Sequence, residues 1–122
     1  MSNLAELKEI APKPIWDGIA ARVVQGERVT LAVVELEPSG LVPEHQHLNE
    51  QLGIVVEGSV TFRIGQEGKR LGPGGTWRIL GEVPHEVKAG ARGAVVVEVF
   101  SPIRDDWGSI EDARARPPRW PS

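Results

Sequence analysis

Cysteine is absent from this sequence, which excludes disulfides and thiol catalysis and leaves the redox compartment open. A basic excess is absent too. Fourteen Lys and Arg face seventeen Asp and Glu for a formal charge of −3, whereas a nucleic-acid surface would want the opposite balance. No apolar run approaches the ~20 residues that a membrane-spanning helix needs. The start, Met1-Ser2-Asn3-Leu4-Ala5-Glu6, lacks the basic and then apolar stretch of a secretory signal. Neither internal repeats nor an alternation of strands with helices is visible. The expectation is a cytoplasmic protein with no nucleic-acid and no membrane partner. Histidine is scarce as well, with three in 122 residues, and their positions carry most of the information.

By size the chain is one domain with enough apolar content for a modest core. Fourteen glycines and ten prolines punctuate it at short intervals, which suits many short strands. Strands are expected over 19–25, 27–37, 43–47, 51–57, 59–64, 69–71, 76–80, 85–89 and 94–100, with a hairpin loop at Gly65-Gln66-Glu67-Gly68. Strands this short and evenly spaced argue an all-β, antiparallel double-sheet barrel. Residues 1–14 read as an arm with a helical turn or two at 4–10, ended by Pro12 and Pro14. Residues 15–107 read as the barrel, with Ile15-Trp16 as an apolar anchor. Residues 108–122 read as a tail with a short helix at 110–114, packing Trp107 back on the barrel and fraying beyond Arg116. In the strand at 27–37, Thr30, Ala32, Val34 and Leu36 share one face, while Val29, Leu31 and Val33 give way to Glu35 and Glu37 on the other. Apolar residues on both faces imply a covered outer side, hence a homodimer.

His45 and His47 stand one residue apart in Pro43-Glu44-His45-Gln46-His47-Leu48-Asn49-Glu50-Gln51. On an extended strand both imidazoles point to one face, where they can reach a single metal ion. Gln51 comes back to that face if the strand continues or resumes after a short bend. His85 follows Val83-Pro84 and opens another strand. A lone His is more often a surface or satisfied core residue, and H-x-H by itself is a weak signal. All three histidines gathered with Gln51 favour a site for one divalent transition metal, whether Mn, Fe, Ni, Zn or Cu, over Ca or Mg. Four neutral ligands leave the ion its full charge to polarise a bound oxygen, with one or two positions open for a small molecule.

Glu98 is the second anomaly. It interrupts Val95-Val96-Val97-Glu98-Val99-Phe100 and shares a strand face with Ala94, Val96 and Phe100. A carboxylate among apolar neighbours is rarely buried without a partner. Either that face is exposed at one point, or Glu98 points into a polar pocket. Arg104 then has two readings, an anion clamp closing over that pocket or a surface side chain paired with Asp105 or Asp106.

The run Gly40, His45, His47, Gln51, Gly58 resembles the first motif of the cupin family, and Gly74 to Ala89 resembles the second, with His85 at the ligand position. The departures are Gly40 one residue close to the first His, Gln for the commoner Glu, Leu80 for Pro, Glu82 for Gly and Ala89 for Asn. The resemblance spans roughly 23–107 and implies a jelly-roll barrel. Within the family, the stretch from Glu98 to Trp107 is similar to small cupins of the pectin-degradation type that ketonise unsaturated uronates. That likeness implies Glu98, Phe100 and Arg104 lining the pocket opposite the metal, with Glu98 shuttling a proton and Arg104 holding a substrate carboxylate. Glu stands where those proteins usually carry Asp. An enzyme acting on a small sugar acid or related oxygenated acid, by tautomerisation or ring opening, is the favoured reading. A metal-dependent dioxygenase and a non-catalytic binding or sensing cupin are the alternatives, because the fold hosts many functions.

Overall fold

Alternation of Val, Ile and Thr with polar residues drives more than half of the described chain into strands. The structure is a computed structural model that describes residues 2–121, so Met1 and Ser122, the ends of the expected arm and tail, lie outside it. The strands are β1 (Lys13–Trp16), β2 (Ile19–Gln25), β3 (Thr30–Leu36), β4 (Leu41–His45), β5 (Glu50–Ile64), β6 (Glu67–Leu71), β7 (Thr76–Ile79) and β8 (His85–Ser101). Every pairing is antiparallel, as expected for an all-β barrel.

The two long strands absorb four expected ones. Strand β5 runs through 51–57 and 59–64, and β8 through 85–89 and 94–100, because their register shifts at Val55/Glu57 and Gly58/Val60 bend the pair without breaking it. On one side of the bend lies the order β1-β2-β3-β8-β5-β7, and on the other β4-β8-β5-β6. The two layers are thus continuous through β5 and β8. Gly58 makes the bend possible: its φ is +76°, and a Cβ there would stand 2.2 Å from the carbonyl oxygen of Gly93. Only glycine fits.

Inward residues of both layers form one core that includes Val34, Val55, Val60, Phe62, Ile79, Val96 and Phe100. Each large apolar side chain buried this way stabilises the fold by roughly 1.5–3 kcal/mol. On β3 the expected division of faces holds, with Thr30, Ala32, Val34 and Leu36 all buried inward.

The ends differ from expectation. The helix expected at 4–10 is a single 3-10 turn at Leu7–Glu9, and Lys13 and Pro14 already pair with β2. The helix expected at 110–114 is absent, and a 3-10 turn stands instead at Asp105–Ser109 with Trp107 buried against the barrel. The tail's polar groups go to the barrel and the N-terminal segment: Ala113 N–H donates to Pro12 at 2.7 Å, and Lys13 Nζ donates to the Ile110 carbonyl at 2.8 Å. Past Arg116 the chain lies on the barrel. Glu35 accepts from Arg22 at 2.9 Å, from Arg116 at 2.7 Å and from the Arg119 backbone N–H at 2.9 Å. This hub ties the tail over one half of the outer sheet face. Among the described residues no helix is long and apolar enough to cross a membrane.

Candidate metal centre and acid pocket

Strand β4 ends at His45, two residues short of the expected end, and the chain bends through 46–49 before β5 begins. His47 therefore sits in the bend, not on a strand, yet it still reaches the common face. Cross-strand pairing sets His45 opposite His85, with ring centroids 4.3 Å apart. His47 lies 4.9 Å from His85 and 5.4 Å from His45 by the same measure. One ligand atom from each of the three lies within 4.8 Å of the others, a cluster that could bind a metal ion.

The tautomers follow from the backbone. Nδ1 of His45 faces the Pro43 carbonyl at 2.9 Å, that of His47 the Asn49 carbonyl at 2.9 Å, and that of His85 the Val83 carbonyl at 2.8 Å. A carbonyl only accepts, so each Nδ1 donates and each neutral ring keeps its lone pair on Nε2. His85 Nε2 is the one fully buried side-chain nitrogen or oxygen without a partner among the described residues. His47 Nε2 faces Gln51 Oε1 at 3.2 Å, one acceptor against another. Acceptors that converge with no donor between them fit a cation. Burial and the neighbouring histidine and Arg104 charges outweigh the Val83 hydrogen bond and push the His85 pKa down to about 4. Burial and the Arg104 charge lower that of His47 too. Both rings therefore stay neutral, as metal ligands must.

Gln51 links the histidine cluster to Glu98. Its Oε1 turns to the histidines, while its Nε2 donates to Glu98 Oε2. Glu98 is buried on the inner face of β8, opposite Gly53, in the polar pocket that was one of its two sequence readings. Trp77 Nε1 donates to the same Oε2 at 3.2 Å. Burial raises the Glu98 pKa to about 7, against the lowering pull of the Gln51 and Trp77 donors and the Arg104 charge. A carboxyl group so poised can hold or release a proton near neutrality.

Arg104 pairs with Asp106, the second of its two readings, and also lines the cavity over which the first would have it close. Its Nε and Nη2 donate to Asp106 at 3.1 and 2.9 Å, while the guanidinium lies 4.2 Å from the centroid of Trp107 and 4.9 Å from that of Phe100. Its backbone is pinned by Thr30 Oγ1 at 2.8 Å, and Asn49 Nδ2 holds the preceding Pro102 and Ile103 carbonyls. Together with His45, His85, Gln51, Glu98 and Phe100, Arg104 lines a cavity of about 70 Å³ whose remaining wall is apolar. Trp16, 39 % exposed and 5.4 Å from the His45 ring, marks where the cavity meets solvent.

Two residues escaped the sequence reading. Trp77 and Gly53 act as a pair across β5 and β7, and no local signal connects them until the register is known. Asp106 was legible only as one of two acids near Arg104. Glu82, at the motif position that usually carries Gly, adopts φ +65° and donates its N–H to the His47 carbonyl at 2.8 Å. The motif's glycine thus answers to a left-handed backbone beside a ligand.

Known proteins share this architecture. The Cupin domain family matches residues 32–100. No curated protein matches the chain. KdgF from Halomonas sp. shares the fold at a TM-score of 0.79 and 25 % identity, over 87 % of this chain and 98 % of that one. TT1209 from Thermus thermophilus does so at 0.70 and 26 %, over 84 % and 99 %. An RmlC-like cupin from Shewanella frigidimarina matches at 0.81 and 18 %, over 88 % and 96 %, and speaks for the fold alone.

Proposed function

This chain belongs to the cupin domain family, and from that premise we propose that it is a metal-dependent enzyme moving a proton within a small oxygenated acid of the sugar-acid kind. The single observation that carries the reading is the convergence of His45, His47, His85 and Gln51 acceptors beside a carboxyl group poised near neutrality. The likeness to KdgF supports the substrate class.

In this reading Nε2 of the three histidines and Oε1 of Gln51 hold one divalent transition metal, which supplies Lewis-acid polarisation of ligand oxygens. The chain's own residues do the rest. Phe100 and the apolar wall exclude water, and the free Nη1 edge of Arg104 receives a ligand carboxylate. Glu98 accepts a proton at one atom of the ligand and returns it at another. Atoms balance without a co-substrate, so the product is a tautomer. The enzyme works in the cytoplasm as a homodimer.

Metal analysis and a turnover assay test this together. The probe is an unsaturated monouronate, followed by loss of its ultraviolet absorbance. His47→Ala is expected to lose most of its metal, and a variant with full metal content would sink the assignment. Glu98→Gln is expected to keep the metal and lose turnover by ~10²-fold or more. Equal rates with and without air separate this reading from a dioxygenase, and recovery of the ligand unchanged would favour a binding protein.

A further inference from the structure

Two donors meet on a single oxygen of Glu98. Trp77 Nε1–H and Gln51 Nε2–H both point at Oε2, and among the described residues Oε1 takes no protein donor. Oε1 is not sealed away either, since the one fully buried polar side-chain atom left unpartnered among the described residues is His85 Nε2. Glu98 lines the cavity, so Oε1 is the oxygen left free to meet a ligand there.

The indole reaches Glu98 by lying across β5. Gly53 pairs with Trp77 on one side and with Glu98 on the other, so all three share the inner face. A Cβ at position 53 would stand 2.3 Å from Cζ2 and 2.6 Å from Nε1 of Trp77. Gly53 has no positive φ, so what position 53 requires is space, not backbone freedom. Phe62 backs the indole at a centroid distance of 4.5 Å. A buried Trp in a core commonly finds some acceptor for its N–H. Here the acceptor is the one buried carboxylate in the cavity, and a neighbouring strand gives up a side chain to allow it.

We propose that Trp77 is the positioning residue of this site, seated by Gly53, and that with Gln51 it reserves Oε2 so that Oε1 alone exchanges the proton. The terminal torsion of a free Glu is broad and nearly two-fold, so an unheld carboxylate would present either oxygen. The inference rests on Glu98 being the acid-base group.

The test uses the zinc-loaded protein and has an arm that needs no turnover. The indole N–H resonance of Trp77 is identified by its loss in Trp77→Phe. It is expected to shift in Glu98→Gln, while those of Trp16, Trp107 and Trp120 stay in place. An unmoved Trp77 resonance overturns the proposal. With the unsaturated monouronate, Trp77→Phe is expected to retain metal and KM within ~2-fold and to lose kcat by ~10–10²-fold. Gly53→Ala, which displaces the indole without removing it, is expected to lose kcat in the same way. Trp77→Phe that turns over like wild type beside an inactive Glu98→Gln sinks this inference alone. An active Glu98→Gln, or a wild type that leaves the uronate unchanged, sinks the reading beneath it.

Discussion

Arg104 already has a carboxylate partner in Asp106, and that bears on what it can do for a ligand. A guanidinium has five N–H donors in a fixed fork, and Asp106 occupies only the Nε and Nη2 edge. Asp106 is 60 % exposed while the Arg104 side chain is 11 % exposed, so the pair holds the guanidinium over Phe100 and Trp107 from the solvent side. Among the described residues Nη1 has no partner, and Arg104 lines the cavity. Arg104→Ala is therefore expected to weaken carboxylate ligands by ~10–10²-fold, the ~1.5–3 kcal/mol of a hydrogen bond to a charged group, and neutral analogues by ~3-fold at most. Isothermal titration with galacturonate and with galactose measures the ratio, and equal losses for both would remove Arg104 from ligand recognition. At this scale the sequence was informative where chemistry is rare in its context: three histidines, and one Glu in a valine run. It was silent on Trp77, because a Trp on a strand looks the same whether it packs or positions.

The strands were legible as strands, but not in number or continuity. The breaks expected at Gly58 and at 90–93 are real irregularities, yet the hydrogen-bonded ladder passes through them, since a bulge and a break leave the same glycine signature. The tail was misread for a related reason. Helix propensity at 110–114 is a weak local preference, and long-range partners on Glu35 and at Pro12 outweigh it. Burial alone would raise the Glu35 pKa, but the Arg119 backbone N–H and the charges of Arg116 and Arg22 hold it below its ordinary value. A carboxyl that titrates lower in the folded state contributes stability that is complete above the unfolded pKa of about 4.3. That contribution drains away as pH falls through the folded pKa. Glu35→Gln removes it and leaves Arg22, 2 % exposed, without its countercharge, at a cost of ~3 kcal/mol. Urea unfolding from pH 7 to 3 is expected to show a constant gap between the two proteins down to about pH 4.3, narrowing below it. A gap independent of pH would mean that Glu35 acts through packing and not through charge.

Taken whole, the molecule covers only half of its outer sheet face. Arg119 bonds the Leu36 and Ala94 carbonyls, and the tail seals the region around Glu35 and Val95, which is fully buried. The other half stays open. There Val24, Leu31, Val99 and Leu52 stand in one row across β2, β3, β8 and β5, each 37–51 % exposed. Ile54, at 39 %, opens a second row beside Val97 and Val33. A contiguous apolar surface of this kind is uncommon on a monomer. The row is apolar over these four strands and ends at Arg78 on β7, so its apolar part can meet its own copy across a two-fold axis, as an isologous contact requires. A second copy of the chain is the occupant we propose. Leu31 and Val99 occupy the middle of the row, where a lysine would carry a charge into the contact. Sedimentation is expected to give a dimer at micromolar concentration for wild type. Leu31→Lys and Val99→Lys are expected to weaken association by ~10²-fold or more while keeping the fold and the metal, because both side chains point away from the core. Wild type that sediments as a monomer at that concentration would refute the pairing, and a lysine variant that still dimerises would move the interface off this face.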